Sequence, residues 1–223
     1  MQQQALTFTP PSGATPLNYL FTLPTPYAPA SDQRWPLLLF LHGSGERGHD
    51  LQQLKQYGIP HLLEHVEHFP FITVAPQCPP DTDWAAHNET LIALLDGVIA
   101  NYNVEPSRVY LTGLSMGGRG AWHLALLYPH RFAAMAPICG RIPDLPGFLD
   151  KIARLKALPI WVFHGAQDAV VPIANSEKLV AALQAAGGNI RFTVYPAAGH
   201  DSWTETYDNT ALYDWLLQHT LSE

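Results

Sequence analysis

"RVYLTGLSMGGRGAWHLALLY", residues 108–128, decides how the chain folds. It opens with an apolar, β-branched run over 108–112 and closes with an amphipathic helical pattern. Between them Gly113-Leu114-Ser115-Met116-Gly117 matches G-x-S-x-G in the context where that motif has a mechanical meaning. A sharp strand-to-helix turn strains the serine backbone and lifts its hydroxyl clear of a sheet. Glycines two residues either side let strand and helix backbones pass where a Cβ would clash. The helix N-terminus aims free N–H groups and a partial positive charge at the same point. A glycine-rich turn with an incidental serine is the plainer alternative.

Outward from this unit, strand and helix character alternate. Apolar runs at 36–41, 71–75, 133–138, 159–163 and 190–195 predict further strands. Helical patterns lie at "NETLIALLDGVIANY", "IANSEKLVAALQAAG" and "NTALYDWLLQHT", with Asn175 or Asn209 as candidate caps. "DLQQLKQYG" and "FLDKIARLK" also read as helices. Near-continuous apolar strands separated by helices imply an α/β fold, a mostly parallel sheet covered on both faces. The first 35 residues differ: "ALTFTP" and "LNYLFTLP" read as an antiparallel edge. No repeat or linker divides the chain, so residues 1–223 are expected to form one domain.

Bulk properties exclude several function classes. The net charge is −7 and no basic cluster is present, which argues against nucleic-acid binding. No apolar stretch is long enough to cross a membrane, and the N-terminus lacks the charge and apolar run of a secretory signal, so a cytoplasmic location is expected. Cys78 and Cys139 lack metal-ligand spacing and are expected to be reduced and near the core. No metal site is expected.

A serine hydroxyl needs a base within hydrogen-bond reach to act as a nucleophile at neutral pH. Of eleven histidines, His61, His65, His68 and His219 read as exposed polar residues and His123 lies too far along its helix. His42 and His164 belong to tight strand exits. His200, in "YPAAGHDSW", occupies the loop between the last strand and last helix, where a doubly wound sheet presents groups to its ligand crevice. Asp168, in "WVFHGAQDAVVP", leaves the neighbouring strand and can orient that imidazole, with capping of the next helix as its alternative role. Ser115, Asp168 and His200 are therefore the candidate catalytic residues.

"LFLHGSGERG", "APQCPPDTDW", "GLSMGG", "HGAQDAVVP" and "GHDSWTETYDNTALYDWL" together resemble the α/β-hydrolase superfamily over nearly the whole chain. More narrowly they resemble small serine esterases related to phospholipase/carboxylesterases, in the feruloyl-esterase-like ("predicted peptidase") branch. The resemblance implies an eight-stranded sheet, hydrolysis of carboxylic esters and no cofactor. Dienelactone hydrolases share the fold but carry cysteine where this chain has Ser115.

Acyl transfer also needs two N–H donors for the oxyanion. Met116 supplies one from the start of its helix, and the family pattern assigns the other to Ser44 in "HGSGERG". That loop contains G-x-G-x-x-G at 43–48, the letters of a dinucleotide fingerprint. The next strand, however, ends in Pro76-Gln77 instead of the acidic residue such a site requires. Glu46 and Arg47 are expected either to pair within the loop or to be ordinary solvated charges. Trp84 and Trp203 are candidate pocket walls, with core packing as the alternative; Gln77 and Cys78 are weaker candidates and Trp122 reads as core. The short interval between Gly140 and Leu158 leaves no room for a large cap, favouring short or soluble small-molecule esters. The leading reading is a serine carboxylesterase acting on short-chain or aromatic esters. A thioesterase or small peptidase on the same residues, or a non-catalytic binding protein with a hydrolase fold, are the alternatives. Oligomeric state is not encoded in these features.

Overall fold

Both faces of strand β3 (Trp35–Leu41) are buried, which is the physical reason its sequence is an unbroken apolar run. Leu37, Leu39 and Leu41 enter one core, while Leu38 and Phe40 enter the other. The computed structural model describes residues 1–221. Around β3 lie β1 (Gln4–Phe8), β2 (Leu17–Thr22), β4 (Ile72–Pro76), β5 (Val104–Leu114), β6 (Ala134–Ile138), β7 (Ile160–Gly165) and β8 (Ile190–Tyr195). The sheet order is β1-β2-β4-β3-β5-β6-β7-β8. β1 and β2 run antiparallel and form one edge; from β4 onward every pairing is parallel. The result is the α/β-hydrolase architecture, a mostly parallel eight-stranded sheet with helices on both faces.

Helices α2 (Asn88–Asn101), α3 (Met116–Leu127) and α4 (Ala174–Ala185) cover one face. Leu94, Leu124 and Leu179 contribute to that core. Helices α1 (Gly58–His65), α5 (Trp203–Asp208) and α6 (Thr210–Leu217) cover the other, through Ile59, Tyr207 and Leu212. The winding reverses at β3, since β4 lies on one side of it and β5 on the other. The crevice of an open α/β sheet opens at such a reversal, beyond the carboxyl ends of the strands. The loops after β3, β5, β7 and β8 all leave from that end.

Several local expectations are corrected. "DLQQLKQYG" is a 3-10 turn at Leu51–Gln56, capped by Asp50, and α1 starts only at Gly58. Gly58 has φ +68, a conformation that breaks any continuous helix across it. "FLDKIARLK" is likewise 3-10, over Leu149–Leu155, and no cap domain lies between β6 and β7. Asn209 caps α6 by accepting from the Ala211 N–H, but Asn175 does not cap α4: its Oδ1 accepts from the Ile142 N–H instead. His219 is half-buried against Trp215 and not exposed. Among the described residues no helix is long and apolar enough to cross a membrane.

Candidate active site

Ser115 joins β5 to α3 with φ +53 and ψ −112, a region that costs a non-glycine residue about 1–3 kcal/mol. The Ser115 N–H donates to the Ile138 carbonyl at 2.9 Å, tying the turn to β6. Gly113 and Gly117 make it possible. A Cβ on Gly113 would meet the Gly117 backbone, and one on Gly117 would run into the Leu41 carbonyl of β3. The strand-to-helix turn is thus packed against its neighbours and leaves the Ser115 hydroxyl half-buried at the crevice floor.

The loop after β8 carries His200 to that hydroxyl. His200 Nε2 lies 2.9 Å from Ser115 Oγ, and His200 Nδ1 lies 2.7 Å from Asp168 Oδ2. Asp168 leaves β7, and its other oxygen accepts from the Val170 and Val171 N–H groups at 2.9 and 2.8 Å. One oxygen holds the local turn while the other faces the imidazole, so no helix is capped by it. Burial pushes the Asp168 carboxyl up, but hydrogen bonds from His200, Val171 and Val170 outweigh it and hold the group below the ordinary carboxylate range. In this geometry Asp168 favours the His200 tautomer with hydrogen on Nδ1, leaving Nε2 as an acceptor facing the serine.

A second imidazole, not anticipated from sequence, meets the same carboxylate. His164 is fully buried, and its Nε2 lies 3.2 Å from Asp168 Oδ2 and 2.8 Å from the Val171 carbonyl. A carbonyl only accepts, so that nitrogen carries hydrogen, and Nδ1 then takes a bond from Ser176 Oγ at 2.7 Å. The signal available was the spacing of His164 and Asp168, four apart on one strand exit. Cys139 sits beneath the triad of side chains with φ +42, and burial pushes its thiol up to about 12. Its sulfur lies within 4.8 Å of donor atoms of Asp168 and His200. Those two side chains are already committed to each other and to Ser115, and a neutral thiol is a poor metal ligand. Both cysteines are buried and free.

The loop after β3 lies on the other side of Ser115. Ser44 and Met116 line the same cavity of about 710 Å³ as Ser115, within the range of small-ligand sites. Glu46 does not pair with Arg47. It is buried beneath the loop, 3.6 Å from His42 Nδ1, whereas Arg47 is exposed on the cavity wall and donates to the Ser44 and Thr82 carbonyls. Gln77 is buried and donates to the Glu46 and Asp50 carbonyls at 2.9 Å each, so it fastens the loop and does not line the cavity. Cys78, buried, gives its N–H to His42 Nε2. Trp84 is also core and not a wall: its indole N–H donates to the His42 carbonyl at 3.0 Å and its ring covers Gly120. Trp203 stands edge-on to the His200 ring at 5.3 Å, half-buried, outside the cavity lining. The walls instead mix charged and apolar groups, with Asp81 and Asp83 beside Ala86, Val170 and Val171. Arg119 and Arg141 line them, and sequence reasoning did not single out either residue.

Comparison with known proteins places the chain in a family. The phospholipase/carboxylesterase family model matches residues 65–211, a span that contains Ser115, Asp168 and His200. The chain belongs to the phospholipase/carboxylesterase family. That family is one of hydrolases. A probable carboxylesterase of Oryza sativa subsp. japonica is 28% identical over 189 residues, covering 73% of this chain and 80% of that protein. The crystal structure of a thermostable esterase superposes with a TM-score of 0.82 at 32% identity. It covers 98% of this chain, which spans 63% of that longer one. A ferulic acid esterase structure, 20% identical with a TM-score of 0.71 and 96% of each chain covered, shares the fold. The family match starts after β3, so the Ser44–Arg47 loop lies outside it.

Proposed function

We propose that this member of the phospholipase/carboxylesterase family is a serine carboxylesterase that turns over short-chain or aromatic esters through an acyl-enzyme on Ser115. The continuous line of contacts Ser115 Oγ–His200 Nε2 and His200 Nδ1–Asp168 Oδ2, at 2.9 and 2.7 Å, carries this reading. Ser115 Oγ attacks the ester carbonyl carbon as its proton passes to His200 Nε2. Asp168 holds the ring and stabilises the imidazolium. The carbonyl oxygen, now an anion, lies against the backbone N–H groups of Ser44 and Met116. Collapse breaks the bond to the alkoxy oxygen, which leaves with the proton from His200. Water then gives a proton to His200 and attacks the acyl carbon, releasing the acid and restoring Ser115.

The charged walls and the short β6–β7 connection support soluble substrates over long-chain lipids, which need a deep apolar channel. A serine-directed fluorophosphonate read by mass spectrometry should give a single adduct on the peptide holding Ser115. Labelling that persists in Ser115→Ala would overturn the assignment. A panel of nitrophenyl esters of rising acyl length, methyl ferulate, an acyl-CoA and an aminoacyl amide should show the esters turned over and fastest at short or aromatic acyl groups. Preference for the acyl-CoA or the amide would replace the ester reading with a thioesterase or peptidase one.

A further inference from the structure

The cavity beside Ser115 is lined by three arginines, and they differ in how their charge is met. Arg119 donates to Asp83 at 2.6 Å and to Asp144 at 2.8 Å, and Arg141 donates to Asp144 at 2.9 Å. Arg47 is in ion-pair range of no carboxylate among the described residues. Its Nε donates to the Ser44 carbonyl at 3.1 Å and its Nη1 to the Thr82 carbonyl at 3.2 Å. Two neutral carbonyls orient a guanidinium without neutralising it. They also spend only two of its five donors: one hydrogen on Nη1 and both on Nη2 remain for a carboxylate. The anchoring through Ser44 puts this cation next to the expected oxyanion donor, on the wall of the cavity that holds the Ser115 hydroxyl.

We propose that Arg47 is the anion anchor of this cavity and that the esters turned over carry a carboxylate on one side of the scissile bond. The inference rests on the serine-esterase reading and adds the substrate's charge to it. Asp81 and Asp83 line the same cavity, and Asp83 is committed to Arg119. Asp81 sits in its loop with φ +59, in ion-pair range of no cation among the described residues. Its negative charge repels any anion, the more so the higher the anion's charge, so a singly charged carboxylate is opposed least and is the anion this wall fits best. Arg47 is pre-oriented by its two carbonyl bonds, which lowers the entropy lost when it engages a substrate.

Two matched ester pairs test this in wild type, Arg47→Gln and Arg47→Lys. On the acyl side, mono-4-nitrophenyl glutarate is compared with 4-nitrophenyl valerate. On the alcohol side, 4-acetoxybenzoate is compared with 4-methylphenyl acetate. The readout is the ratio of kcat/KM for the charged ester to that of its neutral partner. At least one ratio should fall about tenfold in Arg47→Gln, equivalent to about 1.4 kcal/mol, and be retained in part by Arg47→Lys. The pair that responds identifies the side bearing the carboxylate. In wild type that ratio should also shrink as salt is raised. Ratios unchanged by Arg47→Gln overturn the proposal, including the case where both members of a pair slow equally because Arg47 acts only by holding the Ser44 loop. Absence of turnover on all four esters in wild type would instead count against the serine-esterase reading itself.

Discussion

Replacing Ser115 by alanine deletes the hydroxyl that His200 Nε2 meets at 2.9 Å, and ester turnover should fall by at least about 10⁴-fold with the fold intact. Asp168→Asn is the more informative change. The backbone donors of Val170 and Val171 will hold the amide oxygen, turning the NH₂ toward His200. The ring must then accept at Nδ1 and carry hydrogen on Nε2, the wrong tautomer for a base. A loss in kcat of about 10⁴-fold is expected, with circular dichroism unchanged. His164→Leu separates position from chemistry. It strips partners from Ser176 and the Val171 carbonyl inside the core, so unfolding in urea should show a loss of about 1–3 kcal/mol. Ser115, Asp168 and His200 were legible in the sequence because the chemistry admits few residue types and each follows a predicted strand. Trp84 and Gln77 were not, because an aromatic or amide after a strand can point into a crevice or beneath it. Only packing against Gly120 and the Glu46 carbonyl decides which.

At the scale of elements, the turn between β5 and α3 depends on close backbone approach. Gly117→Ala would put a methyl group into the Leu41 carbonyl and against the His42 carbonyl, forcing α3 away from β3. Overpacking of this kind costs about 1–3 kcal/mol, and here it also moves the Met116 N–H and Ser115 Oγ. Thermal unfolding should shift down and turnover should fall together, whereas Ser115→Ala should lower turnover alone. The same glycines explain why this turn could be read from sequence: their spacing has few uses other than a tight strand-to-helix passage. The strands of the sheet centre were legible for a related reason, since burial on both faces leaves them mostly apolar, and a polar residue such as Thr112 enters only with a hydrogen-bond partner inside. β8 is only partly covered up to its buried last residue, Tyr195, as befits an edge, and the 3-10 segments were missed. Their apolar spacing over one or two turns is the same as that of an α-helix, and their geometry is set by Gly58 and by the chain's return to β7.

Across the whole molecule, burying both faces of the sheet carried several histidines inside that the sequence left at the surface or undecided. His87 is buried, and His123 and His219 are half-buried. Loss of solvation lowers the affinity of all three for a proton, against the opposing pull of Asp83 on His87 and His123. In the unfolded chain each takes up a proton near the ordinary imidazole value of about 6.5. Below that pH the unfolded state therefore binds more protons than the folded one, and stability falls with pH until the depressed folded values are passed. Asp168 acts in the same direction but in a lower window, from about 3.9 downward, because its folded value lies beneath the ordinary carboxylate value. Two separate acid limbs are expected. Urea midpoints measured every half pH unit should be level above about pH 7, decline from about 6.5, and steepen again below about 4. Replacing His87, His123 and His219 together by asparagine should flatten the upper limb and leave the lower one, whereas Asp168→Asn should soften the lower limb only. An upper limb unchanged in the triple variant would mean that the proton uptake on unfolding comes from other histidines.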